Sequence, residues 1–184
     1  VSRGLGDVYK RQIQIELISE SDLADESFNI VIDGLKPREI YRVEMFLSDY
    51  YCINAPMLLA HDVLWKSTAT FVSDKNGIID ISQTPSCSGS YEDIATMGLF
   101  FNAKPLTNRK KKLPNSLSKI PLLDHFFVEI KIMQGNTVIA ERTFTRHYMS
   151  SQISHKDIYG KHFQVRLFYD KKAIKTPSID YCER

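Results

Sequence analysis

An all-β antiparallel sandwich is the fold this sequence predicts, on three observations. Apolar and polar side chains alternate at period two through most of the apolar stretches. Turn-forming clusters of Gly, Asn, Asp and Pro separate those stretches. Ten Phe and nine Tyr favour strands, and no long segment shows a convincing amphipathic helical repeat.

The strands follow in chain order. Ile13, Ile15 and Leu17 alternate with Gln14 and Glu16, the pattern of a half-buried strand. Phe28, Ile30 and Ile32 make a second, with Asn29 and Asp33 at its ends, and Asp33-Gly34-Leu35-Lys36-Pro37 breaks it as a turn. Tyr41, Val43, Met45 and Leu47 make a third, with Arg42 and Glu44 facing water. The stretch WKSTATFV, residues 65–72, is a fourth. The Asn76-Gly77 pair after it tolerates positive φ, which predicts a hairpin into residues 78–81. Residues 82–90 are polar, include Pro85 and Gly89, and read as a loop. Val128, Ile130 and Ile132 alternate with Glu129 and Lys131; Gln134-Gly135-Asn136 turns the chain, and residues 137–144 return as a second hairpin. Phe163, Val165, Leu167 and Tyr169, alternating with Gln164 and Arg166, make the last strand. The total is roughly seven or eight strands, which fits two packed sheets of immunoglobulin-like type. Cys52, Trp65 and Cys87 stand in the order of a true immunoglobulin domain, but Cys87 falls in a polar loop, so no disulfide is expected.

Residues 13–170 are expected to form this one domain. Residues 1–12, VSRGLGDVYKRQ, resemble a translated adapter sequence and are read as a non-native or disordered leader. Residues 104–119 carry six basic side chains, no acidic one and two prolines, the signature of an exposed connection.

Composition excludes several function classes. Lys and Arg number 24 against 22 Asp and Glu, a net charge of +2, which gives little pull towards nucleic acid or an anionic membrane. No apolar run reaches the roughly 18 residues needed to span a bilayer. Cys52, Cys87 and Cys182 are scattered and form no CxxC, so they read as free thiols of a reducing compartment, and an intracellular, cytoplasmic setting is expected.

The search for chemistry points to a non-catalytic chain. No GxSxG or GxCxG elbow is present to expose a nucleophile. Ser86-Cys87-Ser88-Gly89-Ser90 lacks the first Gly of an elbow, so Cys87 is read as a loop thiol. His61, His125, His147, His155 and His162 form no HxH, HxxxH or HExxH, and surface or hydrogen-bonded imidazoles are expected; a metal shared by His147 and His155, eight residues apart, is the less favoured reading. No phosphate loop is present, and Gly4 and Gly6 precede no helix. The basic run 109–112 has no interleaved aromatic side chain and reads as a solvated surface, although it offers anion binding as an alternative. Glu92-Asp93, and Glu20, Asp22, Asp25 and Glu26, read as solvated loops. No metal or cofactor is expected.

Three segments carry a family resemblance. Residues 89–101, Gly-Ser-Tyr-Glu-Asp-Ile-Ala-Thr-Met-Gly-Leu-Phe-Phe, resemble the GSYxGLxxMGLLW signature of the acyl-CoA thioesterase/bile acid-CoA:amino acid N-acyltransferase family. Before it, Trp65-Lys66-Ser67 through Asp80-Ile81 resembles that family's hairpin with a Gly at its turn, here Gly77. After it, Thr145-Arg146-His147-Tyr148-Met149 resembles the family's Glu-Arg-His-Phe segment, followed by Val165-Arg166-Leu167-Phe168. Phe101 stands where the family usually has Trp, and Thr145 where it has Glu. The resemblance implies the N-terminal β-sandwich of such an enzyme, with the Ser or Cys nucleophile in an α/β-hydrolase domain of the same full-length chain. Residues 171–184 would begin the linker to that domain. Acyl-CoA would be substrate of the parent enzyme.

The apolar side chains Met97, Leu99, Phe100 and Phe101, with Tyr91, suit a contact with such a domain, to which Arg146 and His147 could add charged hydrogen bonds. The alternative is that Leu99 and Phe101 alternate inward as one more core strand. A free-standing binding or adhesion module is the competing function, since many sandwiches serve that role. A nucleic-acid binder using residues 109–112 is the third, opposed by the near-neutral charge.

Overall fold

The computed structural model describes residues 12–48, 50, 63–106 and 124–172. Most of the leader, Cys52, His61, the basic run 109–112, Cys182 and residues 173–184 of the expected linker lie outside the described residues. The chain divides after Tyr148 into two compact units.

In chain order the strands of the first unit are β1 (Gln14–Ser19), β2 (Phe28–Asp33), β3 (Ile40–Ser48), β4 (Trp65–Val72), β5 (Ile79–Asp80), β6 (Ser88–Gly89), β7 (Lys104–Pro105), β8 (His125–Gln134) and β9 (Thr137–His147). One helical turn, α1 (Gly98–Phe101), lies between β6 and β7. One antiparallel sheet has the order β1-β2-β5, and the other the order β6-β4-β3-β8-β9, with β7 also paired to β4. Both sheets contribute to one buried core, which includes Ile15, Phe28, Ile30, Ile32 and Ile79 from the first and Tyr41, Met45, Phe71, Val128 and Ile130 from the second. This is the expected all-β antiparallel sandwich.

The period-two pattern explains why β3 takes the centre of the larger sheet. Val43 lies opposite both Ala69 and Ile132, and Leu47 opposite both Trp65 and Val128. All six are buried. Each such burial of a large aliphatic side chain stabilises by roughly 1.5–3 kcal/mol, so a one-residue slip of this strand would expose its whole apolar row. The hairpin of β8 and β9 forms through Gly135, with a register irregularity between Ile132 and Met133.

Several local expectations change. β4 and β5 are not a hairpin: β5 pairs with β2 in the opposite sheet, so residues 73–78 form a corner between sheets. The main chain decides this, because Leu35 N–H donates to Gly77 O at 3.0 Å and Ile81 N–H to Ile30 O at 3.1 Å. The polar loop 82–90 contains the short strand β6, bonded to β4. Residues 98–101 turn as a helix and do not form a core strand.

The second unit contains β10 (Ile153–Tyr159) and β11 (Gln164–Asp170), an antiparallel pair in a sheet of its own. The final predicted strand is therefore present one residue later than expected. Its partner β10 was not anticipated, because Ser154, His155, Lys156 and Asp157 interrupt the apolar alternation. Asp157 and Arg166 face each other, with both carboxylate oxygens accepting guanidinium bonds at 2.6 and 2.7 Å. Among the described residues no helix is long and apolar enough to cross a membrane.

Candidate domain-interface segment

The 86–101 segment is held by main-chain bonds first. Ser86 N–H donates to Asp93 O at 2.9 Å and Asp93 N–H returns to Ser86 O at 3.1 Å, closing a loop. Ser86 is buried, and its hydroxyl points at the carbonyls of Ser88 (3.1 Å) and Tyr91 (3.0 Å). Ser90 N–H donates to Thr68 O at 2.6 Å, and Ser90 Oγ accepts from Thr68 N–H at 3.0 Å, so the side chain completes a ladder that the backbone leaves. Gly89 lies against β4 at φ +128°, where a Cβ would overlap the Thr68 carbonyl. Only glycine fits that approach.

Tyr91 lays its ring over Gly98. A Cβ on residue 98 would stand 2.5–2.7 Å from three ring carbons, so the two positions are fitted to each other. The Tyr91 hydroxyl is buried and has no hydrogen-bond partner among the described residues. Burial pushes its ionisation up to about 12. Met97 Sδ accepts the Phe28 N–H at 3.3 Å. In α1, Phe101 N–H bonds Met97 O at 2.9 Å, and the Asn102 amide caps Gly98 O at 2.8 Å.

The turn sends its three apolar side chains in different directions. Leu99 enters the core at 2% exposure. Phe100 packs edge-on to Phe28 and Tyr50, with ring centroids at 5.7 and 5.3 Å, and lies 6.3 Å from Phe126. Such aromatic pairs are worth about 0.5–1.5 kcal/mol beyond the area they bury. Phe101 points outward at 76% exposure.

Arg146, near the end of β9, reaches the same aromatic end, with its guanidinium 5.3 Å from the Phe28 ring centroid. It is 1% exposed. Nη1 donates to Ser19 Oγ (2.9 Å) and Ser21 O (2.7 Å), and Nη2 to Glu26 O (2.7 Å) and Leu23 O. Burial pulls the guanidinium below its ordinary range, against the pull of Asp22, Glu26 and Asp25. The fork thus satisfies the carbonyls of a bent segment that makes few ladder bonds of its own. His147 adds two more: its N–H donates to Asp22 O and its carbonyl accepts from Ala24 N–H, both at 2.7 Å. Its ring is half-exposed, with Nε2 3.6 Å from Asp22 Oδ2.

The structure therefore brings all seven sequence-selected residues to one end of the sandwich and divides their tasks. Tyr91, Met97 and Phe100 seal that end, and Phe101 and the His147 ring reach solvent. Leu99 and Arg146 are buried, and the Arg146 fork forms an internal clamp. The acidic residues of 20–26 predict a plain solvated loop, and the structure makes that loop the seat of Arg146. The acceptors that Arg146 engages there are mostly main-chain carbonyls, which residue identity does not mark. Of the aromatic partners, Phe28 is marked in the sequence by its strand alternation, while no pattern marks Tyr50 or Phe126. Among the described residues no three His, Cys, Asp or Glu side chains stand at metal-binding geometry.

Residues 25–159 match the family described as acyl-CoA thioester hydrolase/BAAT N-terminal region. Among curated proteins, the chain is similar to acyl-coenzyme A amino acid N-acyltransferase 2 of Mus musculus, 26% identical over 110 residues, which is 60% of this chain and 24% of that protein. N-acyltransferase 1 of the same species is 30% identical over 95 residues, 50% of this chain and 20% of that one. Mouse acyl-coenzyme A thioesterase 6 is 22% identical over 166 residues, 84% of this chain and 35% of that protein. The chain spans only about a fifth to a third of the length of these relatives. With most of its length, residues 25–159, inside the family match, the chain belongs to the acyl-CoA thioester hydrolase/BAAT N-terminal region family.

Proposed function

We propose that this chain is the non-catalytic N-terminal domain of an acyl-CoA thioesterase or acyl-CoA:amino acid N-acyltransferase. Its partner on this reading is an α/β-hydrolase domain of the same full-length protein, which attacks the thioester and passes the acyl group to water or an amino acid. The observation that carries the reading is the family match over residues 25–159 to an N-terminal region. The local chemistry supports it. The hydroxyls of Ser86 and Ser90 are engaged with main-chain groups, and Arg146 holds a loop.

The proposed contact centres on Phe101, which stands edge-on to Phe100, and includes Tyr91, Met97 and His147. A ring that is 76% exposed beside a sealed aromatic cluster is apolar surface available for burial. The test of function is an acyl-CoA hydrolysis assay on residues 1–184, following release of free coenzyme A from palmitoyl-CoA. No turnover above buffer is expected, and genuine turnover overturns the reading. The contact is tested by Phe101→Ser in a chain extended through the following reading frame. A hydrolase domain that becomes more protease-sensitive supports it; unchanged sensitivity refutes it.

A further inference from the structure

The strands β10 and β11 pair with each other and with no third strand among the described residues. A lone two-stranded hairpin is marginally stable in water; it needs a third strand or a covering layer. Its main chain is open to one. Gly160 N–H donates to Phe163 O and Lys171 N–H to Gln152 O, both at 2.8 Å, which fixes the alternation of the ladder. Asp157–Arg166 and His155–Phe168 are then non-hydrogen-bonded pairs, so Arg166 and Phe168 direct their own N–H and carbonyl groups away from β10.

Apolar side chains stand on both faces of this hairpin. The register puts Ile158, Val165 and Leu167 on one face, and Tyr159 and Phe168 on the other. Val165 is 45% exposed, Phe168 55% and Tyr159 62%. A strand that is apolar on both sides suits a sheet covered on both sides, whereas a sandwich strand keeps one face polar. The two strands differ. β10 carries Ser154, His155 and Lys156 in its middle, and polar or charged side chains guard an outer edge. β11 has only Arg166 as a charge in its middle, and Asp157 neutralises it through two bonds at 2.6 and 2.7 Å. That pair can be covered without leaving a lone charge.

The family match ends at Tyr159, before β11 begins. Most of the length of the matched relatives lies outside the part that this chain spans. We propose that β10 and β11 belong to the sheet of the following domain, with β10 at its edge. β11 pairs through its outer edge with a strand of that domain, whose layers cover Val165 and Leu167 on one side and Phe168 on the other. The inference rests on the proposed function, which supplies the hydrolase domain. The sandwich then ends near Tyr148, where the chain divides, and not at residue 170.

The experiment is peptide-resolved hydrogen exchange on residues 1–184 and on a chain extended through the following reading frame, with acyl-CoA hydrolysis followed on the longer chain. In residues 1–184, amides of 153–170 should exchange freely while β3 and β8 stay protected. In the longer chain they should slow by about a hundredfold or more. Val165→Asp should leave the unfolding midpoint of residues 1–184 unchanged and remove the slowing in the longer chain. A hairpin that stays unprotected in the longer chain overturns the inference, whether or not that chain turns over acyl-CoA. A protected hairpin in a longer chain without turnover sinks the proposed function alone. Protection already present in residues 1–184 also overturns the inference, and a rise with protein concentration would then identify a second copy as the occupant.

Discussion

Replacing Gly98 by Ala adds one methyl group where the structure has no room for it. The new carbon would meet Tyr91 Cζ, Cε2 and Cε1 at 2.5, 2.6 and 2.7 Å. The ring would have to retreat by about 1 Å to reach ordinary contact, a displacement on the scale at which overpacked cores lose stability. It is not a flexible tip: the backbone around it is anchored by Ser90 to Thr68 and by the mutual bonds of Ser86 and Asp93. Overpacking of this kind costs about 1–3 kcal/mol. The helix-propensity gain of up to about 1 kcal/mol for Gly→Ala counts for little in a helix of one turn. The expected result is a fall in the midpoint of thermal unfolding of roughly 2–12 °C, followed by circular dichroism. A double-mutant cycle isolates the cause. In a Tyr91→Ala background the ring is gone, so Gly98→Ala should be neutral or slightly stabilising, and the coupling should reach at least about 1 kcal/mol. Equal destabilisation in both backgrounds would refute the fitted Tyr–Gly pair.

Tyr91→Phe removes a buried hydroxyl without a partner, so it should leave stability unchanged or raise it by up to about 1 kcal/mol in urea unfolding; a loss would reveal a partner for that oxygen. The same variant has a pH signature. The phenol ionises near 12 when folded and near 10 when unfolded, so the folded state holds its proton longer. The stability this difference contributes is complete below pH 10 and falls between about pH 10 and 12, a slope that Tyr91→Phe should remove. Arg146→Lys keeps the charge but loses the fork, leaving some of the carbonyls of Ser21, Leu23 and Glu26 unsatisfied; urea denaturation should show a loss of about 2–4 kcal/mol. A loss under 1 kcal/mol would mean that water replaces the guanidinium.

Strand content was legible because burial on one face writes itself into alternate positions. The rows of β2, β3, β4 and β8 are read directly from Phe28, Val43, Trp65 and Ile130 and their neighbours. Pairing between elements was less legible. Asn76-Gly77 announces a reversal, yet the same turn chemistry serves a hairpin or a corner between sheets, and long-range bonds such as Leu35 N–H to Gly77 O choose the corner. The candidate site shows the same division. Glycine, tyrosine and methionine at fixed offsets marked residues 89–101 as special, but the reason is the approach of Gly89 to β4 and of the Tyr91 ring to Gly98. The sequence offers Arg146 as a charged donor for a domain contact, because arginine is rarely buried and its internal acceptors carry no side-chain signature.

This division bears on what the segment can specify. The relatives that match the chain include proteins named for transfer to amino acids and proteins named for thioester hydrolysis. The features visible in this segment are a close strand contact, a ring on a glycine, a thioether accepting a main-chain bond and an aromatic seal. Each solves a packing problem that is the same whatever nucleophile or acceptor lies elsewhere in a longer protein. Phe101 differs in kind, because its ring, edge-on to Phe100 at 5.8 Å, is 76% exposed. On the proposed reading, substitutions at residues 89–100 act through folding and change stability first. Substitution at Phe101 leaves the stability of residues 1–184 within about 0.5 kcal/mol and acts on whatever that ring packs against.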